Sequence, residues 1–160
     1  MSIKIENERH IISVIVQNES SALSRISGLF AGRGYNIESL TVALIPNEDL
    51  SRLTIETYGS QKTVDQIEKQ LNKLIPVSKV VESDDFIEKE MGLVKVPVSE
   101  TLSDIEALCK VYNGTIINVS KNSIVVMVAD EPRRVKFFIE AIQKHNPIEI
   151  VRGGVVTLER

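Results

Sequence analysis

Along the chain, apolar positions switch repeatedly between the two-residue spacing of strands and the 3.6-residue spacing of helices. His10 to Val16 is a nearly continuous apolar run that predicts a strand, and the polar turn Gln17-Asn18-Glu19-Ser20-Ser21 follows it. Leu23, Ile26, Leu29 and Phe30 then share one face of a helix, with Ser20 or Ser21 as N-cap and Gly34 placed to stop it in a left-handed turn. Ile37 to Ile45 and Ser51 to Tyr58 are β-rich, and Pro46-Asn47-Glu48-Asp49 between them suits a hairpin loop. In the second stretch Leu53, Ile55 and Thr57 face one side and Thr54, Glu56 and Tyr58 the other. Thr63 to Leu74 predicts a helix with Val64, Ile67, Leu71 and Leu74 on one stripe; Pro76 ends it, and Val77 to Glu82 is a last strand. Residues 10–82 thus spell βαββαβ.

The second half repeats the order. Phe86 to Val98 is a strand, and residues 101–112 form a helix with Leu102, Ile105, Leu108 and Tyr112 inward and Gly114 as its stop. Thr115 to Val119 and Ile124 to Ala129 flank the turn Ser120-Lys121-Asn122-Ser123. Residues 132–145 form a helix that begins at Pro132, a favoured first-turn position, with Val135, Phe138, Ile139 and Ile142 inward. Ile148 to Val151 and Val155 to Leu158 close the sheet, with a bend at Gly153-Gly154. The class is α+β, with a join near Ser83-Asp84-Asp85. Units this small are marginal alone, and their strands carry more apolar residues than one covered face needs. Sheets pairing across subunits or domains, and oligomerisation, are therefore expected.

Composition narrows the function. The 160 residues are 42% apolar, with 19 basic against 22 acidic residues and a net charge of −3, as in an ordinary soluble protein. No basic stripe favours nucleic acid, and no apolar run approaches a bilayer span. The N-terminus lacks an apolar leader, so a cytoplasmic protein is expected. Three Asn-x-Ser/Thr triplets are accordingly chance matches.

Candidate chemistry is sparse. Cys109 lies in a helical pattern and reads as a buried thiol; His10 and His145 read as solvated or capping groups. One Cys and two His make a zinc site improbable. Gly32-Arg33-Gly34 sits at a helix end, whereas a phosphate loop needs a helix start. Asp84-Asp85 and the Glu88/Glu90 pair read as solvated charge, and no Gly-x-Ser-x-Gly elbow occurs. What remains is a binding feature. The segment Asn18 to Leu23 opens the first helix, whose free N–H groups and dipole attract a carboxylate. Asn36 offers an amide donor and acceptor to a zwitterion, and Leu23 and Ile37 offer apolar contacts.

These residues carry a resemblance. Asn18 to Ile26, Gly28-Leu29-Phe30, Arg33-Gly34-Tyr35-Asn36-Ile37-Glu38-Ser39-Leu40-Thr41-Val42-Ala43 and Leu50 to Ile55 closely resemble the regulatory small subunits of acetolactate synthase. Gln66 to Leu71, Glu90 to Val96 and Arg152-Gly153-Gly154-Val155-Val156 extend the likeness over essentially the whole chain. It implies two ferredoxin-like βαββαβ domains, an ACT domain at 8–83 and a C-terminal regulatory-subunit domain at 84–160. It implies a non-catalytic subunit that activates the catalytic large subunit and mediates feedback by valine, in branched-chain amino-acid biosynthesis. Thiamine diphosphate, Mg²⁺ and FAD are expected on that partner and no cofactor on this chain. The resemblance further implies a homodimer through ACT domains. It places the effector between Asn18, Ser21, Ala22 and Leu23 of one subunit and Asn36 and Ile37 of the other. Ser21 departs from the family, which usually has Gly there; its side chain stands where the ligand approaches, which leaves the effector's identity open. The alternative reading is a free-standing amino-acid-sensing ACT protein that regulates another enzyme or a transcription factor.

Overall fold

A computed structural model describes residues 7–98 and 102–160; residue 101, where the sequence pattern starts the third helix, and the extreme N-terminus lie outside them. The chain divides into two compact units, one ending at Phe86 and one spanning Ile87–Leu158, with Glu159 and Arg160 grouped with the first.

In the first unit β1 (Glu8–Gln17), α1 (Ser20–Gly32), β2 (Ser39–Leu44), β3 (Leu50–Gly59), α2 (Gln61–Asn72) and β4 (Val77–Glu82) follow in order. The strands form an antiparallel sheet in the order β2-β3-β1-β4. Alternation sends Ile12, Val14 and Val16 of β1 and Leu53 and Ile55 of β3 to one face. There they meet Ala22, Ile26 and Phe30 of α1 and Val64, Ile67 and Leu71 of α2. Of the stripe expected on α1, Ile26 and Phe30 are fully buried and Leu29 packs against the core, whereas Leu23 is exposed and Ala22 takes its place. Both positions are in helical register with Ile26, and a small alanine does not announce itself as a core residue in sequence.

The start of α1 differs too. Glu19 is the N-cap, in extended conformation and without a side-chain cap bond, so neither Ser20 nor Ser21 caps the helix. Its end is as expected: Gly34 takes φ +70°, a left-handed conformation natural to glycine. By contrast, α2 is capped by Ser60, whose hydroxyl accepts from the Thr63 N–H at 3.3 Å. His10 is not solvated. β1 extends past it, leaving it 7% exposed, with Nδ1 3.0 Å from a Glu82 carboxylate oxygen and Nε2 3.2 Å from the Gly59 carbonyl.

The second unit contains β5 (Phe86–Pro97), α3 (Leu102–Tyr112), β6 (Gly114–Val119), β7 (Ser123–Asp130), α4 (Pro132–Ile142), β8 (Glu149–Arg152) and β9 (Val156–Glu159). Its sheet runs β6-β7-β5-β8, with β9 also paired to β5. Val94, Val96, Ile124, Val126 and Val128 face Ile105 and Cys109 of α3 and Val135, Phe138 and Ile142 of α4. Leu102, expected inward, is exposed; the residues of α3 that enter the core are Ile105 and Cys109. Asn113, with φ +56°, turns the chain after α3, and Gly114 already belongs to β6. A short 3₁₀ turn, Gln143–His145, continues α4. Both units have the expected α+β, ferredoxin-like order of elements.

Candidate functional site

The opening of α1 has features that suit an anion. Of its first N–H groups, that of Glu19 bonds the Gln17 carbonyl at 2.8 Å and that of Ala22 bonds the Glu19 carbonyl at 3.1 Å. The N–H groups of Ser20 and Ser21 come too early for an intrahelical carbonyl. No side chain caps them, and apart from the N-cap Glu19, whose carboxylate makes no cap bond, no acidic residue stands in the first turn.

Asn18 is held alongside. Its N–H bonds the Asp49 carbonyl at 3.2 Å, and its Oδ1 accepts from the Ser51 hydroxyl at 3.3 Å, so its amide N–H groups are left to donate. Leu23 presents an apolar side chain that is 41% exposed. Ala22 is different: its side chain is in the core, so it shapes the loop and does not face a ligand. Ser21 is half-buried. Ser51, the residue that orients Asn18, escapes sequence reasoning, because the bond is made across the sheet end and carries no local signal.

Asn36 and Ile37 lie elsewhere. The Asn36 carbonyl accepts from the Thr57 hydroxyl at 2.7 Å, and its side-chain amide donates to the Glu38 carboxylate. That leaves the Asn36 amide oxygen and the Glu38 carboxylate as a pair of acceptors suited to an ammonium group. Glu38, two residues from Asn36, is a further missed candidate, and that spacing was the available signal. Ile37 is half-buried against the core. Asn18 neighbours Ser51 and Asn36 neighbours Thr57; between those two positions β3 advances about 20 Å. One chain therefore does not bring the two halves of the expected site together.

The edge of the sheet between these halves is open. β2 is an edge strand, Ser39-Leu40-Thr41-Val42-Ala43-Leu44, with neither charge nor proline. Val42 and Leu44, on the helix side of the strand, are 44% and 55% exposed. Edge strands of stable monomers are normally blunted by charge, proline or a bulge. The opposite edge, β4, carries Lys79 and Glu82.

The buried carboxylates of the second unit are paired within it. Glu90, expected to be solvated, is 4% exposed and takes bonds from Arg152 at 2.6 and 3.0 Å; its place on the core face of β5 forces it to find a partner. Burial works to raise the Asp130 pKa. Bonds from Arg134, the Glu131 N–H, Lys89 and Asn113 outweigh it and hold the carboxyl well below the usual carboxylate range. Burial, aided by Glu106, pushes the Cys109 thiol up, and the side chain sits in the core. Asp84 and Asp85 are exposed, as expected, and Asp85 pairs with Arg160 at 3.0 Å. Among the described residues no three His, Cys, Asp or Glu side chains are grouped to hold a metal, and no helix is long and apolar enough to cross a membrane.

Comparison with known proteins gives the family. Residues 12–79 match the AHAS small subunit-like ACT domain, and residues 89–160 match the family of the small subunit of acetolactate synthase. The chain is 42% identical over 156 residues to the acetolactate synthase small subunit of Haemophilus influenzae, covering 95% of this chain and 96% of that one. It is 43% identical over 156 residues to the acetolactate synthase isozyme 3 small subunit of Escherichia coli, with the same coverage. The chain belongs to the acetolactate synthase small subunits. The crystal structure of a small subunit from Thermotoga maritima matches with a TM-score of 0.87 at 36% identity, over 96% of this chain and 98% of that one. In this small subunit every expected effector residue falls within the ACT match, and the C-terminal match contains none.

Proposed function

We propose that this small subunit activates the catalytic large subunit of acetolactate synthase and makes it responsive to valine or a related branched-chain amino acid. In this reading residues 8–83 are the effector-binding ACT domain and residues 84–160 the C-terminal regulatory domain. Thiamine diphosphate, Mg²⁺ and FAD reside on the large subunit, and the complex works in the cytoplasm.

The observation that carries the reading is the separation of the two half-sites by a bare edge strand. Pairing β2 with β2 of a second copy about a two-fold axis continues the sheet and runs the two strands antiparallel. That operation lays the α1 opening of one copy toward the Asn36 loop of the other. The effector carboxylate then meets the N–H groups of Ser20 and Ser21 and the Asn18 amide. Its ammonium meets Asn36 and Glu38, and its branched side chain meets Leu23 and Ile37. An effector shared in this way biases the orientation of two ACT domains only as far as it binds one arrangement better than another.

The test assays the large subunit with and without this chain across valine, leucine and isoleucine, beside a Leu44→Lys variant of the edge. Wild type should raise the activity and confer feedback, and the variant should be monomeric by light scattering and lack feedback. A dimeric variant with intact feedback would refute the β2 arrangement.

A further inference from the structure

Apart from the effector region, a cavity of about 470 Å³ opens along α2, lined by Arg33, Gln66, Lys69, Gln70, Asn72 and Lys73. Three cations and no carboxylate line it, in a chain whose net charge is −3. Among the described residues none of these three cations forms an ion pair or a side-chain hydrogen bond within the chain. Gln66, Lys69, Gln70 and Lys73 stand three and four residues apart, which places them on one face of α2. Arg33 arrives from a separate element, as the C-cap of α1.

The negative end of the α2 dipole explains a lysine at Lys69 and at Lys73. The α1 dipole likewise explains Arg33 at its C-cap, but neither dipole explains why the two helix ends bring three cations to one cavity with no acid in its lining to neutralise them. The amides add direction. The Tyr35 hydroxyl donates to Gln66 Oε1 at 3.4 Å, which occupies the acceptor end of that side chain and leaves its NH₂ to donate.

We propose that this cavity is a binding site for a small oligoanion of the diphosphate kind. The planar guanidinium of Arg33 supplies a two-pronged donor to one phosphate, Lys69 and Lys73 act as point charges on the other, and Gln66 donates a neutral hydrogen bond. The site uses different residues from the effector site and does not depend on it.

The experiment is calorimetric titration of the full chain with inorganic phosphate, inorganic pyrophosphate and methyl diphosphate at low and high salt. Pyrophosphate should bind saturably at one site per chain, at least tenfold tighter than phosphate and more weakly as salt rises. Methyl diphosphate binding as tightly as pyrophosphate assigns the site to esterified diphosphates, and weaker binding assigns it to the free anion; either supports the proposal. Arg33→Gln and the double variant Lys69→Gln/Lys73→Gln should each lose at least tenfold, with melting curves like wild type. Lys136→Gln, an exposed lysine of α4, should change nothing. Absence of saturable binding, or equal binding by wild type and the cavity variants, overturns the proposal. So does a cavity variant that loses activation of the large subunit while wild type binds no pyrophosphate, because the patch is then a protein contact.

Discussion

Replacing Ser21 by aspartate should make the protein more stable and its effector weaker, two effects with one cause. The first turn of α1 contains no acid, its N-cap makes no side-chain bond, and the N–H groups of Ser20 and Ser21 lack helical partners. A carboxylate at position 21 complements that end of the dipole, a gain of about 0.5–1 kcal/mol. It also occupies the place proposed for the effector carboxylate. Two such charges about 4 Å apart repel by about 1 kcal/mol in water-like surroundings and about 4 kcal/mol at an effective dielectric of about 20. Ser21 is half-buried, so a value near 2 kcal/mol is appropriate, or roughly thirtyfold in Kd. Thermal unfolding reads the first effect and calorimetric titration with valine the second. Ser21→Asn is the control, since it can cap without adding charge and should retain far more affinity. The reasoning is refuted if Ser21→Asp binds valine as wild type does, or if it loses affinity only because the fold is less stable.

Other consequences follow from the same structure. Phe30→Ala removes a fully buried ring that meets Tyr35 edge-on at 6.1 Å, and denaturant unfolding should show a loss of about 3–5 kcal/mol. Gly34→Ala meets no atom within 4 Å, so its cost is purely that of the left-handed backbone, about 1–2 kcal/mol by the same measurement. Asp130→Asn weakens bonds to Arg134 and Lys89, whose side chains are partly exposed and rehydrate readily, so about 2 kcal/mol is expected at neutral pH. Because the folded Asp130 pKa is depressed, its contribution is fully present above the ordinary value of 3.8 and is lost as pH falls below it. The stability gap between wild type and Asp130→Asn should therefore narrow on acidification, as urea titrations across that range would reveal.

Local spacing was sufficient for the order of elements, because alternation and helical recurrence follow directly from strand and helix geometry. The stop at Gly34 and the strands from Leu50 to Gly59 and Ser123 to Asp130 were legible for that reason. The segment Asn18 to Leu23 and the pair Asn36-Ile37 could be picked out as unusual polar turns and as a family signature. The inward face of α1 was legible in Ile26, Leu29 and Phe30, but not that Ala22 and not Leu23 completes it, since both are in helical register with Ile26 and only packing against β1 and β3 chooses between them. The capping of α1 by Glu19 depends on where β1 releases the chain. The fates of His10, Glu90 and Asp130 depend on partners far away in sequence, Glu82, Arg152 and Lys89, which the sheets bring within hydrogen-bond reach. Above all, the sequence names the two halves of an amino-acid site without saying how far apart they lie. Sheet register sets that distance, placing Asn18 at one end of β3 and Asn36 at the other, with an uncharged edge strand between them.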